Sequence, residues 1–178
     1  MFKKGVKLNW GTTIALVVSF AALITTIYEA NILKRQQESL VWPYFEVGQS
    51  YSGEGFGFIA KNSGTGPAII TSVEVTQEGQ VIGSFMDLLD ILSPDSSLNY
   101  YGFEYRSLNK TVFRPGEERK VFFMKWTPLT RQLISRAKPI RIKVEYRSVL
   151  EDYWVYDSET SSSTKGRYKS RLEFTSSR

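Results

Sequence analysis

The glycine-rich segment Asn62-Ser-Gly-Thr-Gly-Pro67 is the part of this sequence whose composition could hold a phosphate group. It follows a strand-like run, as phosphate-binding loops do, but it lacks the Gly-Lys-Ser/Thr ending of a P-loop. The residues after it are β-branched and do not begin a helix. We therefore predict a hairpin loop. Its residues form a candidate contact surface: Asn62, Ser63, Gly64, Thr65, Gly66 and Pro67.

Acidic residues could supply metal ligands or acid–base groups. Oxygen ligands of the kind that Ca²⁺ prefers are offered by Asp87, Asp90, Asp95 and Glu104. Their spacing does not match the DxDxDG pattern of a calcium loop, so we predict no metal site. Glu151-Asp152 is a pair of neighbouring carboxylates at a predicted hairpin tip, where solvated turn residues are expected. The loop around Asp87–Asp95 is a second candidate contact surface.

The residue types that dominate active sites at neutral pH are absent, since the 178 residues include no Cys and no His. Without Cys there are no thiol nucleophiles, disulfides or thiolate metal sites. Without His the chain lacks the usual acid–base group and the commonest zinc ligand. No Ser stands in a GxSxG motif, and no Ser or Lys has a recognisable catalytic context. We predict no catalytic residue and no cofactor.

An apolar helix near the N-terminus is the clearest element. The uncharged stretch from Leu8 to Tyr28 would be about 30 Å long as a helix, which matches the hydrocarbon thickness of a bilayer. Trp10 and Tyr28 bracket it and are predicted to be membrane-interface anchors in contact with lipid. A cleaved signal peptide is the competing interpretation. The bulky Tyr28, which would occupy the −3 position of a cleavage site, favours an uncleaved anchor.

Positive charge around this span predicts its orientation. Three Lys precede the span, and Lys34 and Arg35 follow it, so the positive-inside rule favours a cytoplasmic N-terminus and an extracytoplasmic C-terminal domain. Within the span, small residues recur at helical spacing and predict a face for helix packing. The alternative is chance register of residues that are common in membrane helices. The stripe comprises Thr12, Ala15, Ser19, Ala22 and Thr26.

The pattern beyond the membrane changes from helical to alternating. Residues 29–42 are rich in helix formers and predict a stalk that ends before Pro43. Alternating runs predict strands at 43–51, 55–61, 68–76, 81–85, 100–107, 119–126, 140–148 and 153–156. In the third strand, Val73 and Val75 are expected to face inward and Glu74 and Thr76 outward. Residues 87–92 and 128–138 predict two short helical insertions.

These elements predict a mainly β protein: a transmembrane helix with a stalk, followed by an antiparallel immunoglobulin-like β-sandwich. The predicted domains are a basic N-terminal tail (1–7), the span (8–28), the stalk (29–42), the sandwich (43–157) and a largely disordered tail (158–178). Leu172-Glu-Phe174 in that tail is the one run that could add an edge strand.

The charge distribution argues against a nucleic-acid partner. The formal net charge is +5, but residues 41–164 hold 13 basic and 15 acidic residues. The excess of positive charge lies at the two ends of the chain, so the sandwich has no basic face of the kind that binds nucleic acid. A solvated tail, or a tail on anionic lipid headgroups, accounts for the basic C-terminus.

The layout resembles a loose group of uncharacterised bacterial single-pass membrane proteins. The resemblance rests on the N-terminal span, the stalk, Leu40-Val-Trp-Pro-Tyr44, Lys61-Asn-Ser-Gly-Thr-Gly-Pro-Ala-Ile-Ile70, and Tyr146-Arg-Ser148 followed by Asp152-Tyr-Trp154. It implies an anchored sandwich in a bacterial cytoplasmic membrane and brings no site residues.

Three functional hypotheses follow. The first is a non-catalytic binding or assembly module, an accessory subunit of a membrane complex, with a protein partner or a second copy as its ligand. The second is a cell-envelope hydrolase that uses carboxylates or Ser, which requires a concave pocket with carboxylates of raised pKa. The third is a purely structural anchor.

Overall fold

The computed structural model describes residues 9–92 and 103–168, and the chain divides into two compact units between Ser39 and Leu40. The first unit contains all but the last residue of the helix α1, Trp10–Leu40, which is 31 residues long and has no buried residue. It is long and apolar enough to cross a membrane. Helix formers continue without a break from the apolar part into residues 29–40, and the predicted span and stalk are accordingly one continuous helix.

The described residues of the second unit form ten strands and two short helices. In chain order the elements are β1 (Phe45–Tyr51), β2 (Gly55–Asn62), β3 (Ala68–Gln77), β4 (Gln80–Ile82), α2 (Phe85–Leu92), β5 (Phe103–Tyr105), β6 (Val112–Phe113), β7 (Glu118–Lys125), α3 (Pro128–Arg136), β8 (Ile140–Arg147), β9 (Tyr153–Asp157) and β10 (Ser162–Lys165). The predicted mainly β fold with two helical insertions is confirmed.

The strands form two antiparallel sheets. One sheet has the order β1-β2-β7-β5; the other has the order β10-β9-β8-β3-β4, and β6 pairs with the start of β3. In chain order, the first sheet reproduces the A-B-E-D order of an immunoglobulin sandwich, and β9-β8-β3-β4 reproduces G-F-C-C′. The immunoglobulin-like prediction is therefore confirmed, with β10 as an additional strand beside G.

Aromatic side chains fill the space between the sheets. Tyr146 and Trp154 stack with ring centroids 5.8 Å apart, and Phe45 meets Phe113 edge-on at 5.1 Å. The Tyr156 hydroxyl donates to the carbonyl of Val47 at 2.8 Å, which joins β9 of one sheet to β1 of the other. Alternation of buried and less buried residues along β8 and β9 places Tyr146, Trp154 and Tyr156 on the inner face of their sheet.

Helix α3 has a complete N-terminal cap. The Thr127 hydroxyl accepts from the Thr130 backbone N–H at 3.1 Å, and the Thr130 hydroxyl accepts from the Thr127 N–H at 2.7 Å. Pro128 occupies the first turn, where its missing N–H has no partner to lose. This reciprocal cap explains why the helix begins directly after β7.

Three predictions about the sandwich need correction. The segment Asn62–Pro67 is not a hairpin loop, because β2 and β3 belong to different sheets and it crosses between them. Glu74 and Thr76 are buried although they were expected to face solvent. The tail predicted to be largely disordered begins with ordered structure, since Ser162–Lys165 forms β10. The possible strand Leu172–Phe174 lies outside the described residues, as does Asp95.

Candidate functional site

The glycine-rich segment contacts the chain that leads from α1 into the sandwich. We call Val41–Tyr44 the lead-in segment and Asn62–Pro67, together with its bonds to the lead-in segment, the anchor clamp. The carbonyl of Trp42 accepts hydrogen bonds from the backbone N–H groups of Thr65 (2.9 Å) and Gly66 (3.1 Å). Ser63 N–H donates to the carbonyl of Tyr44 at 2.8 Å. The clamp thus holds the lead-in segment by backbone bonds on both sides of Pro43.

Asn62 is the centre of the anchor clamp and is completely buried. Its Nδ2 donates to the carbonyls of Gly66 (2.8 Å) and Phe113 (3.1 Å). Its Oδ1 accepts from the N–H groups of Gly64 (3.1 Å) and Tyr44 (3.2 Å). One amide therefore satisfies four backbone groups from three parts of the chain, which is how a buried polar side chain avoids a desolvation penalty.

The two glycines of the clamp are required by close backbone approach. A Cβ on Gly64 would lie 2.3 Å from the Tyr44 nitrogen, and a Cβ on Gly66 would lie 2.1 Å from the Val41 carbonyl oxygen. Real Cβ atoms do not come this close to backbone atoms, so only glycine fits. The glycine content that suggested a phosphate cradle is explained by packing against the lead-in segment.

The clamp's backbone donors are already occupied. The N–H groups of Ser63, Thr65 and Gly66 donate to lead-in carbonyls, and that of Gly64 donates to Asn62. A phosphate cradle needs N–H groups that point into open space. The backbone of this candidate contact surface is thus bonded internally, and the sequence did not reveal this because the lead-in segment lies about twenty residues earlier in the chain.

The two neighbouring carboxylates of the β8–β9 turn form ion pairs with different basic side chains. Glu151 pairs with Arg147, and Asp152 pairs with Lys165 Nζ at 2.8 Å. Two carboxylates that share one proton would need to face each other. Each is instead held by its own ion pair on the surface. Across residues 9–92 and 103–168, no group of three or more acidic residues is placed to hold a metal ion.

Two carboxyl groups have pKa values that are lowered from the ordinary range, which does not suit a general acid. The backbone N–H of Arg114 and the guanidinium of Arg119 lower the pKa of Glu117. The guanidinium of Arg141, which contacts Asp157 at 2.5 Å, lowers the pKa of the Asp157 carboxyl. A general acid near neutral pH requires a raised pKa. These two groups are therefore structural ion-pair partners.

A cavity of about 50 Å³ lies between the sheets, lined by apolar side chains that include Phe58, Val73, Leu108 and Phe122. A cavity of about 150 Å³ is needed to hold a molecule the size of benzene. The space between the sheets is therefore too small for a molecule of that size.

The last described residues form a second unexpected feature. We call Ser162–Tyr168 the C-terminal strap. The Tyr168 hydroxyl donates to Glu74 Oε1 at 2.7 Å, and its backbone N–H donates to Glu145 Oε2 at 2.5 Å. Lys143 Nζ lies 4.7 Å from the Tyr168 ring centroid. The strap thus crosses the outer face of the six-stranded sheet and explains why Glu74, at 2% exposure, can be buried.

The small-residue stripe and the two aromatic residues lie on α1 as expected from its continuity. The Ser19 hydroxyl donates to the carbonyl of Ala15 at 2.8 Å, and the Thr26 hydroxyl donates to that of Ala22 at 2.9 Å. Their donors are therefore used within the helix. Trp10 is the first residue of α1, and Tyr28 lies on it as well.

The comparisons with known proteins bear on the family. Comparison with curated proteins gives no match. A family model described as "Domain of unknown function (DUF8453)" matches residues 8–175, a range that contains α1, both sheets, the anchor clamp and the C-terminal strap. Since the match covers nearly the whole chain, this protein belongs to the family described as "Domain of unknown function (DUF8453)".

Proposed function

We propose that this chain is a single-pass membrane protein whose β-sandwich is a non-catalytic binding or assembly module, an accessory subunit of a membrane complex. The observation that carries the proposal is the anchor clamp. A fully buried Asn62 and two glycines without room for a side chain are devoted to holding the four residues that follow the helix. Such a clamp secures the point at which the chain enters the sandwich, which suits a domain tethered by an N-terminal helix.

The proposed location is a bacterial cytoplasmic membrane with the sandwich outside the cytoplasm. The Lys-rich N-terminus favours this orientation by the positive-inside rule. The resemblance to bacterial single-pass proteins with an NSGTGPA-type turn supports the assignment, and membrane lipid at Trp10 and Tyr28 is the first expected partner. A protein partner or a second copy is the other, and nucleic acid is not expected.

The small-residue stripe offers a second surface. Thr12, Ala15, Ser19, Ala22 and Thr26 let helix backbones approach closely. Because the Ser19 and Thr26 hydroxyls already donate to their own helix, close packing rather than hydrogen bonding would drive association there.

A chimera experiment tests which part binds. Tagged full-length protein is crosslinked in cells, purified in mild detergent and analysed by mass spectrometry. A matched chain carries the same helix, residues 1–40, fused to an unrelated β-sandwich. We expect a stoichiometric partner with the native sandwich and its loss in the chimera. A partner retained by the chimera would show that the helix alone associates, through the small-residue stripe, and would remove the sandwich from the binding role.

Orientation and the hydrolase alternative are tested separately. Because the chain has no Cys, one cysteine at the exposed Ser135 of α3 can be labelled with a membrane-impermeant maleimide in intact cells. Labelling before lysis supports an extracytoplasmic sandwich; labelling only after lysis contradicts it. Hydrolysis of cell-envelope substrates by the purified protein, lost in Ser-to-Ala or carboxylate-to-amide variants, would overturn the non-catalytic proposal.

A further inference from the structure

The C-terminal strap is attached to the sandwich by contacts that differ from those of the core. Its strand β10 pairs with β9 through Ser162, Ser163, Thr164 and Lys165. Beyond it, Gly166 N–H donates to the carbonyl of Tyr153 at 2.8 Å, and the Arg167 guanidinium lies 4.0 Å from the Tyr153 ring centroid. Hydrogen bonds, an ion pair and cation–π contacts therefore hold the strap.

The surface under the strap does not depend on it for its shape. Strand β9 pairs with β8 on its other side through Tyr153–Asp157. Glu74 and Lys143 are directly opposed in the pairing of β3 with β8. The seat of Tyr168 is thus made by strands that remain paired when the strap leaves. Elements with few buried apolar contacts are the first to detach from a folded protein.

The turn that joins the strap to the sandwich is strained. It runs from Ser158 to Ser161 between β9 and β10, and Ser161 has φ 50°, in the left-handed region. A residue with a Cβ is disfavoured in this region because its Cβ comes too close to the following carbonyl oxygen. An extended chain at Ser161 relieves this strain, and short strained hinges favour exchange of an element between two copies.

We propose that two copies of this chain exchange their C-terminal straps, so that the strap of each copy pairs with β9 of the other and seats its Tyr168 against the other's Glu74. The exchange rests on the proposed function, because it specifies how an assembly module assembles. The occupant is a second copy, since its whole strap, Ser162–Tyr168, would make with β9, Glu74 and Glu145 the contacts that the strap makes within one chain. Anchoring in one membrane raises the effective concentration of copies and favours the exchange.

The absence of Cys makes the exchange directly measurable. Val155 and Thr164 are directly opposed in the β9–β10 pairing. Opposed residues of an antiparallel pair lie about 4.5–5.5 Å apart at Cα, within reach of a disulfide. Full-length Val155→Cys with one tag and full-length Thr164→Cys with another are co-expressed, and the membranes are oxidised. Neither chain can form this bond alone.

We expect a disulfide-linked heterodimer that carries both tags. The matched control pairs Val155→Cys with Ser135→Cys, whose cysteine lies on the exposed face of α3 and reports random collision. A heterodimer yield no higher than this control overturns the exchange. A single chain with both Val155→Cys and Thr164→Cys shows that the disulfide forms under the same conditions.

The hinge provides a second, graded measurement. Ser161→Gly removes the strain of the left-handed residue and stabilises the unexchanged turn. We expect it to lower the crosslinked fraction at least about fivefold, because each of the two hinges of an exchanged pair contributes the cost of that conformation. An unchanged or larger fraction would overturn the role of the hinge. The crosslinking assay needs no other protein, so a negative result would reject the strap exchange and leave the chimera test of partner binding unaffected. A negative chimera test would likewise leave the crosslinking result unaffected.

Discussion

Replacing Asn62 by Ala tests the anchor clamp most directly. The substitution removes four hydrogen bonds, and two of them end on carbonyls in buried surroundings, those of Gly66 and Phe113. Each buried group left without a partner costs about 1–3 kcal/mol. The N–H groups of Gly64 and Tyr44 are partly buried, so water replaces part of their loss. We expect the free energy of unfolding to fall by about 3–4 kcal/mol.

The assay is urea unfolding of the full-length protein in detergent micelles, followed by tryptophan fluorescence and near-UV circular dichroism. With a slope of about 2 kcal/mol per molar urea, the midpoint should fall by about 1.5–2 M. The matched control is Ser63→Ala in the same segment, which loses only an exposed hydrogen bond to Glu46 and should change stability by less than about 0.5 kcal/mol. A loss for Asn62→Ala below about 1 kcal/mol, or equal to that of Ser63→Ala, would refute the clamp.

Asn62→Asp adds a pH test of the same geometry. One oxygen of the aspartate keeps the two acceptor contacts of Oδ1. The other oxygen replaces Nδ2, so negative charge faces the carbonyls of Gly66 and Phe113, to which Nδ2 donates in the native chain. Burial and these carbonyls would raise its pKa in the folded state. The destabilisation should therefore be greatest above that pKa and shrink as the pH falls through it, so the deficit at about pH 4.5 should be smaller than at neutral pH. A deficit that does not change with pH would contradict this account.

Further substitutions test the contacts around the clamp and the strap by urea unfolding. Gly66→Ala should lower the free energy of unfolding by about 2–4 kcal/mol, because its Cβ would meet a backbone oxygen at 2.1 Å. The control Gly48→Ala, whose Cβ would have nothing within 4 Å, should be near neutral. Similar unfolding midpoints for the two variants would contradict the close approach at Gly66. Tyr168→Phe removes a hydrogen bond to the buried glutamate of β3 and should cost about 1 kcal/mol, while Tyr153→Phe, whose hydroxyl contact is exposed, serves as its control. The native chain should lose stability as the pH falls through the lowered pKa of the Asp157 carboxyl, which lies below 3.8. Asp157→Asn removes this carboxylate, so the variant should already lack that stability at neutral pH and should lose none of it on acidification. A variant with the pH profile of the native chain would contradict the ion pair.

The strands could be predicted because their pattern is local. Ile140, Ile142, Val144 and Tyr146 alternate with charged residues, and this period of two appears as β8 with one face in the core. The immunoglobulin-like order could also be inferred, since many short strands separated by turns have few other ways to bury their apolar faces. The continuous helix follows from the absence of Gly and Pro after residue 11 and before Pro43.

The sites could not be predicted in the same way because their partners are distant in sequence. Glu74 has the alternation of an exposed residue, and its cover, Tyr168, lies 94 residues later. Ser162–Lys165 has no apolar residue, so its pairing with β9 leaves no periodic signal. The glycines of Asn62–Pro67 suggested a turn, but their requirement comes from Val41 and Tyr44. A small residue can mark either conformational freedom or lack of space, and only the neighbours distinguish the two.

The anchor clamp also determines how the sandwich would bear a mechanical load. A pull on the helix reaches the fold at Val41 and is resisted first by the bonds that Trp42 and Tyr44 accept. Beyond the clamp, β1 is paired with β2 along all seven of its residues. Interstrand bonds in an antiparallel pair run across the strands, so tension along β1 shears them together instead of opening them one at a time. Force applied to α1 would therefore reach both strands of the β1–β2 pair before the domain unfolds.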